Sequence, residues 1–291
     1  MTILRVRHIT TYSYKRPVGF GEHRILFRPR DSYDQRLLFS DLQISPAPTT
    51  LHWIHDVFGN CVAIARFEAK ARELRFESNI ALDHTPLQAP KFKTRERAKL
   101  WPFAYEDEDL PDLEACMRRG FPDAGEVEAW ARQFVKPAGA TETGHLLFTM
   151  TNAIMESFAY SRRTDPGTQP PLVTLATMSG TCRDFALLMM EACRSLGLAA
   201  RFVTGYIYVA SRDGSTNRGG GATHAWCQVY LPGAGWVEFD PTNGIVGNRD
   251  LIRVAVARDP SQAAPLLGSW LGQPGDYLGM SIDVRVTSAA R

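Results

Sequence analysis

The chain has 291 residues, of which 44% are apolar and 22% charged, with a formal net charge of +2. That length supplies one large domain or two ordinary ones with ample core, and so small a net charge with no clustered basic face excludes a nucleic-acid footprint. The five cysteines (Cys61, Cys116, Cys182, Cys193, Cys227) are widely spaced and form no CxxC pair, which excludes a disulfide framework or zinc ribbon and fits a reducing compartment.

The start, MTILRVRHITTYSY, alternates and carries arginines where a signal peptide needs an unbroken apolar stretch. No window has the length and apolarity of a membrane span. The expectation is a soluble, cytoplasmic protein with neither membrane nor nucleic acid as partner.

Residues 1–90 read as an antiparallel β domain. LRVRHITTYSYK is in near alternation, LQISPAPTTLHWIHDVFGNCVAIARFEA reads as strand, turn, strand, and ELRFESNIALDH offers another strand. Asp56 to Asn60 supply the turn chemistry. Residues 91–122 read as a linker, in a region marked by the proline and charge of TPLQAPKFK and EDEDLPD. The acidic run Glu106 to Asp109 has nothing apolar around it, so it reads as solvated linker rather than paired catalytic carboxylates or a metal site.

Residues 123–291 read as a helical and then β core with a C-terminal tail. FPDAGEVEAWARQFV sets Val127, Trp130, Ala131 and Phe134 on one helical face, and GHLLFTMTNAIMESFAY does the same with Leu147, Met150, Ile154 and Phe158. After the loop TDPGTQPP comes MSGTCRDFALLMM, whose helix carries the stripe Phe185, Leu188, Met189, Ala192, Cys193 and Leu196 and stops at Gly197. AARFVTGYIYVA, ATHAWCQVYLP and GWVEFDP are three strand-like runs. The tail SQAAPLLGSWLGQPGDYLG reads mostly as loop, before a last strand SIDVRVTS.

Cys182 falls in the first turn of its helix, after Ser179, Gly180 and Thr181. Backbone N–H groups there are unsatisfied and the helix dipole favours an anion, so the position suits a thiolate and an adjacent oxyanion. A free cysteine is also a small buried hydrophobe, as Cys193 is read, and position alone leaves both readings open. A thiolate nucleophile needs a base, and the base an orienting partner. His8, His23, His52, His55 and His84 lie in the β domain and His145 begins a helix, whereas His224 opens HAWCQVYLP directly after STNRGGGAT. Asp240 ends WVEFDP. Neighbouring antiparallel strands set the start of one beside the end of the next, so His224 and Asp240 can be adjacent, and a sheet packed on the helix turns the imidazole toward Cys182.

Other patterns carry less. RGGGAT is followed by neither a Lys-Ser or Lys-Thr pair nor a helix, so it reads as a mobile hairpin loop rather than a phosphate cradle. His-x-x-Cys within a strand sends His224 and Cys227 to opposite faces, against zinc shared with Cys182 and Asp240, and no metal or cofactor is expected. Trp226 shares a strand face with His224 and reads as cleft wall or as core. Asp184 reads as a first-turn acid serving the helix dipole.

GTCRDFALLMMEACRSLGLAARFVTGY followed by THAWCQVYLPGAGWVEFDPTNG closely resembles the bacterial transglutaminase-like proteins, often described as cysteine proteases. LRVRHITTYSY, FRPRD and DVFGN resemble the N-terminal region that precedes the core in such proteins. The resemblance implies an α+β fold, a papain-like core of helices packed on an antiparallel sheet behind an N-terminal antiparallel β domain. It implies Cys182 as nucleophile, His224 as base and acid, and Asp240 as the residue orienting the imidazole. Trp226 and Thr181, the latter standing where valine is common, become substrate-cleft candidates. The expected activity is acyl transfer from a peptide or protein amide through a thioester, ending in hydrolysis. The alternatives are cross-linking of glutamine to an amine, and a non-catalytic peptide- or protein-binding module.

Overall fold

The structure is a computed structural model that describes residues 2–85, 93–161, 163, 167–208 and 221–289. Six strands come first: β1 (Thr2–Phe20), β2 (His23–Ile25), β3 (Gln35–Ser45), β4 (Thr50–His55), β5 (Cys61–Arg66) and β6 (Ala71–His84). A connecting stretch carries β7 (Leu100–Trp101) and α1 (Leu110–Met117). Next come α2 (Glu126–Arg132), β8 (Thr141–Glu142), α3 (Thr143–Ser157), β9 (Ala159–Tyr160), α4 (Pro171–Thr177), β10 (Ser179–Gly180) and α5 (Cys182–Ser195). The core strands are β11 (Ala200–Ile207), β12 (His224–Leu231), β13 (Gly235–Asp240), β14 (Ile245–Val246) and β15 (Leu251–Ala257), followed by β16 (Leu266–Leu267), β17 (Trp270–Leu271) and β18 (Tyr277–Ala289). Among the described residues no helix is long and apolar enough to cross a membrane.

The alternation legible in residues 2–14 becomes a strand with Leu4, Val6, His8 and Thr10 turned inward. β6 answers with Leu74, Phe76, Ile80 and Leu82, in antiparallel register from Thr2↔His84 to Ser13↔Glu73. β3 pairs with the far side of β6, and a second antiparallel sheet runs β16-β2-β5-β4. The two sheets share a core of Tyr14, Val18, Phe20, Ile25, Phe27, Ala63, Leu74 and Phe76.

Two sequence expectations need correction here. The tail does not stay with the helical and β core: β18 pairs with β1 from Ile3↔Ala289 to Tyr14↔Tyr277, while β16 and β17 pair with β2 and β1. The open edge of β1 takes that partner because an unpaired backbone edge is unfavourable, and sequence alternation does not say which strand fills it. In the stretch read as a linker, 91–122, the described residues from 93 onward are likewise anchored on the core. Trp101 donates Nε1–H to the Leu196 carbonyl at 2.9 Å, and the Tyr105 hydroxyl donates to the Tyr230 carbonyl at 3.0 Å while accepting the Ala199 N–H at 2.8 Å. Its acidic run is partly paired, with Glu106 against Arg95 and Arg97.

α5 is the central helix of the core, buried from Cys182 onward on almost every side. Its stripe of Phe185, Leu188, Met189, Ala192 and Cys193 packs with Leu147, Met150 and Ile154 of α3 and with Ala225, Cys227, Val229 and Leu231 of β12. The sheet order is β14-β13-β12-β11-β15, all antiparallel. The opposite face of β12 carries His224, Trp226 and Gln228, as the period of two requires. Gly205 permits the sheet to close, because a Cβ there would lie 2.0 Å from the Ile252 carbonyl oxygen and 2.8 Å from the Trp226 ring.

The N-terminal sheets dock on this core. Leu4, Val6, Ile80 and Leu82 share a cluster with Tyr206, Ile252 and Val254. The DVFGN turn makes the second attachment. Asp56 accepts the N–H groups of Phe58 and Asn60, each at 2.9 Å, and the Asn60 side chain bonds both the carbonyl (2.7 Å) and the N–H (2.9 Å) of Val256.

Candidate active site

The start of α5 is held from three directions. β10 pairs in parallel with β9, so Ser179 lies beside Ala159 and Gly180 beside Tyr160. Gln169 donates Nε2–H to the Ser179 carbonyl at 2.6 Å. Asp184, wholly buried, accepts from the Thr181 N–H and hydroxyl (both 2.8 Å), from the Gln169 N–H (2.8 Å), and from Arg163 through Nε and Nη2 at 3.1 and 3.0 Å. Gly180 makes this approach possible, since a Cβ there would be 2.9 Å from the Asp184 Cβ. Asp184 therefore does more than complement the helix dipole: its carboxylate fixes the turn from which Cys182 projects.

Cys182 occupies the first position of α5 and keeps 6% exposure. The first N–H groups of a helix lack an intrahelical acceptor, so the position of Cys182 is one whose backbone can serve an oxyanion. His224 begins β12 and Asp240 ends β13, strands joined in the register Cys227↔Phe239. His224 Nε2–H donates to Asp240 Oδ2 at 2.8 Å, and both side chains are fully buried. Burial by itself lowers the basicity of the imidazole, but the Asp240 charge and hydrogen bond outweigh it, with a smaller contribution from the Cys182 thiol, and lift the His224 pKa to about 10. Among the described residues Nδ1 has no hydrogen-bond partner, and the thiol of Cys182 is close enough to act on the ring. The three residues singled out in the sequence thus converge, although they come from two layers of the core.

Two residues of the DPTN turn complete the arrangement. Asp240 Oδ1 accepts the Thr242 N–H at 2.9 Å, and Asn243 donates Nδ2–H to Asp240 Oδ2 at 2.8 Å. Sequence reading missed both. The available signal is the aspartate followed two and three residues later by Thr and Asn, the spacing of a side-chain-capped turn. Of the cleft candidates, Thr181 is half-buried with its hydroxyl committed to Asp184. Trp226 has no exposed surface. It lies 5.8 Å from the His224 ring, packed with Val203, Ile207, Leu251 and Val256, so it backs the imidazole instead of lining the cleft. Phe58 of the DVFGN turn and Ile245 pack against the same cluster.

Burial pushes Cys193 up to about 12 and Cys227 well above its ordinary value, as expected of inert packing residues. Cys227 donates its S–H to the Phe239 carbonyl at 3.4 Å, on the strand face opposite His224. The glycine-rich 218–220 of the RGGGAT stretch lies outside the described residues.

Comparison with known proteins finds two matched regions in this chain. Residues 4–83 match the bacterial transglutaminase-like N-terminal region, and residues 128–241, which include Cys182, His224 and Asp240, match the transglutaminase-like superfamily. An uncharacterized protein of Mycobacterium tuberculosis is 28% identical over 96% of this chain and 91% of its own length. An uncharacterized protein of Mycobacterium leprae is 25% identical over 97% of this chain and 98% of its own. Among solved structures, a candidate cysteine protease from Cytophaga hutchinsonii shares the fold, with a TM-score of 0.70 at 19% identity over all of this chain and 91% of that one. The chain belongs to the transglutaminase-like superfamily, with an α+β core carried behind the bacterial transglutaminase-like N-terminal region.

Proposed function

We propose that this protein is a cysteine-nucleophile peptidase or amidase. The observation that carries the reading is a buried imidazole held by Asp240 through Nε2, with the thiol of a helix N-terminal cysteine near enough to act on the same ring. An imidazolium next to sulfur favours the thiolate. Cys182 Sγ attacks the amide carbonyl, first-turn N–H groups hold the oxyanion, and His224 passes its proton to the departing amine. The C–N bond breaks and a thioester remains. Water, with His224 now accepting its proton, attacks the thioester, and the acid leaves as the thiolate and imidazolium are restored. Hydrolysis is the default fate of the thioester because water needs no site of its own, whereas an amine acceptor needs one that orients it and excludes water.

The test is mass spectrometry of a peptide library incubated with the protein, with and without an added primary amine, alongside Cys182→Ala. The expected products carry added water and vanish in the variant, whose circular dichroism and melting temperature stay close to wild type. Amine-adducted products in place of hydrolysed ones would convert the reading to cross-linking. No product in any arm, together with no labelling of Cys182 by an acyl probe, would refute it in favour of a binding module.

A further inference from the structure

A cavity of about 690 Å³, whose lining includes none of Cys182, His224 and Asp240, lies between the residue 30–34 loop and the face of the core sheet opposite α5. Gln228 on its floor is four residues along β12 from His224, or about 13 Å at strand rise. It is a separate volume from the catalytic site and does not depend on the catalytic reading.

The charges around it are unbalanced in their pairing. Every lining carboxylate is engaged. Asp34 accepts from the Ser32 hydroxyl (2.6 Å), Asn248 Nδ2 (2.7 Å) and Arg253 (3.2 Å); Glu238 accepts from Gln228 Nε2 (2.7 Å) and Arg253; Asp31 accepts the Leu37 N–H at 2.6 Å. Those bonds also consume Arg253. Three other cations face the same volume with no carboxylate partner among the described residues: Arg30, Lys93 and Arg201. Arg201 is the most constrained. Its Nε–H is fixed on Gln228 Oε1 at 2.7 Å and its guanidinium lies 4.0 Å from the centre of the Trp236 ring, so the remaining N–H groups are held in one orientation. Burial pulls its pKa down to about 10, an effect the nearby Glu238 offsets only in part, and leaves it cationic at neutral pH with no carboxylate bonded to it among the described residues.

We propose that this cavity binds a small molecule bearing carboxylate or phosphate oxygens, anchored by Arg201 and closed over by Arg30 and Lys93. A guanidinium held over an aromatic ring and tied at Nε is preorganised to fork onto two such oxygens. The volume lies within the range of small-molecule sites. Because loop and sheet belong to different units of the fold, an occupant bridges them and stabilises the folded state by mass action.

The test uses the full chain in calorimetric titrations and thermal melts with inorganic phosphate, citrate and an acidic dipeptide, against chloride at matched ionic strength. Saturable one-site binding of at least one probe is expected, with a rise in melting temperature. Arg201→Gln should weaken it at least tenfold, and Arg30→Gln, at an exposed position whose loss leaves the fold intact, should weaken it several-fold. Preference for phosphate, tricarboxylate or dipeptide identifies which source of oxyanion the site takes. Binding unchanged in both variants, or no saturable binding of any probe, would overturn the proposal.

Discussion

Replacing Asp240 with Asn removes a charge while keeping the shape of the side chain. In the native site burial disfavours the imidazolium of His224, and Asp240 more than reverses that, taking the pKa from the ordinary 6.5 to about 10. At 1.36 kcal/mol per unit, the folded protein holds that proton more tightly than the unfolded chain by on the order of 5 kcal/mol. A group raised in the folded state contributes its full stability below the unfolded pKa. That contribution is lost as pH climbs through the folded pKa, so the window runs from about 6.5 to about 10. Within it, unfolding free energy from urea titrations should fall by up to about 1.4 kcal/mol per pH unit in the wild type. In Asp240→Asn that slope should flatten, because burial remains while the compensating charge is gone. Turnover at pH 7 should drop by roughly 10³ to 10⁴, the scale seen when the orienting acid of a hydrolytic triad is neutralised. NMR of the imidazole reads the same quantity directly. A wild-type His224 that titrates at or below 6.5, with the same slope of stability in both proteins, would refute the reasoning.

Two further perturbations follow from the same site. Asp184→Ala leaves the Arg163 guanidinium and the Thr181 N–H without their acceptor, and should cost about 3–5 kcal/mol in urea unfolding; a change under about 1 kcal/mol would show that the carboxylate is not holding the turn. Gly205→Ala drives a Cβ against the Ile252 carbonyl, where backbone must give way, and should destabilise by about 3 kcal/mol or more in thermal melts.

Much of the core could be read in the sequence because its signals are local. The period of two in HAWCQVYLP placed His224 and Trp226 on one face and Cys227 on the other, and β12 bears this out. The stripe along α5 was equally readable, since a helix repeats within one window. What stayed hidden depends on partners distant in the chain. Asp184 looked like a dipole acid because Arg163 and Gln169, which make it a cradle, arrive from a loop upstream. Trp226 remained ambiguous because the cluster that buries it draws on residues far along the chain, Val203, Leu251 and Val256, with Phe58 of the N-terminal turn packed against it. Tyr105 sits in a stretch of proline and charge, and only its contacts with Ala199 and Tyr230 show that the stretch is anchored.

The pairing of β18 with β1 bears on how the molecule is made. Strand β1 leaves the ribosome early, with β6 and β3 soon available on one side, yet its other side waits for residues 277–289. Throughout synthesis of the core, that edge presents free N–H and C=O groups to any neighbouring chain. Contacts so far apart in sequence are slow to form, because the closure entropy comes before any reward. The transglutaminase-like core can therefore assemble behind an N-terminal sandwich that is still open, and the final strand acts as the latch that ends a period of exposure to misassembly.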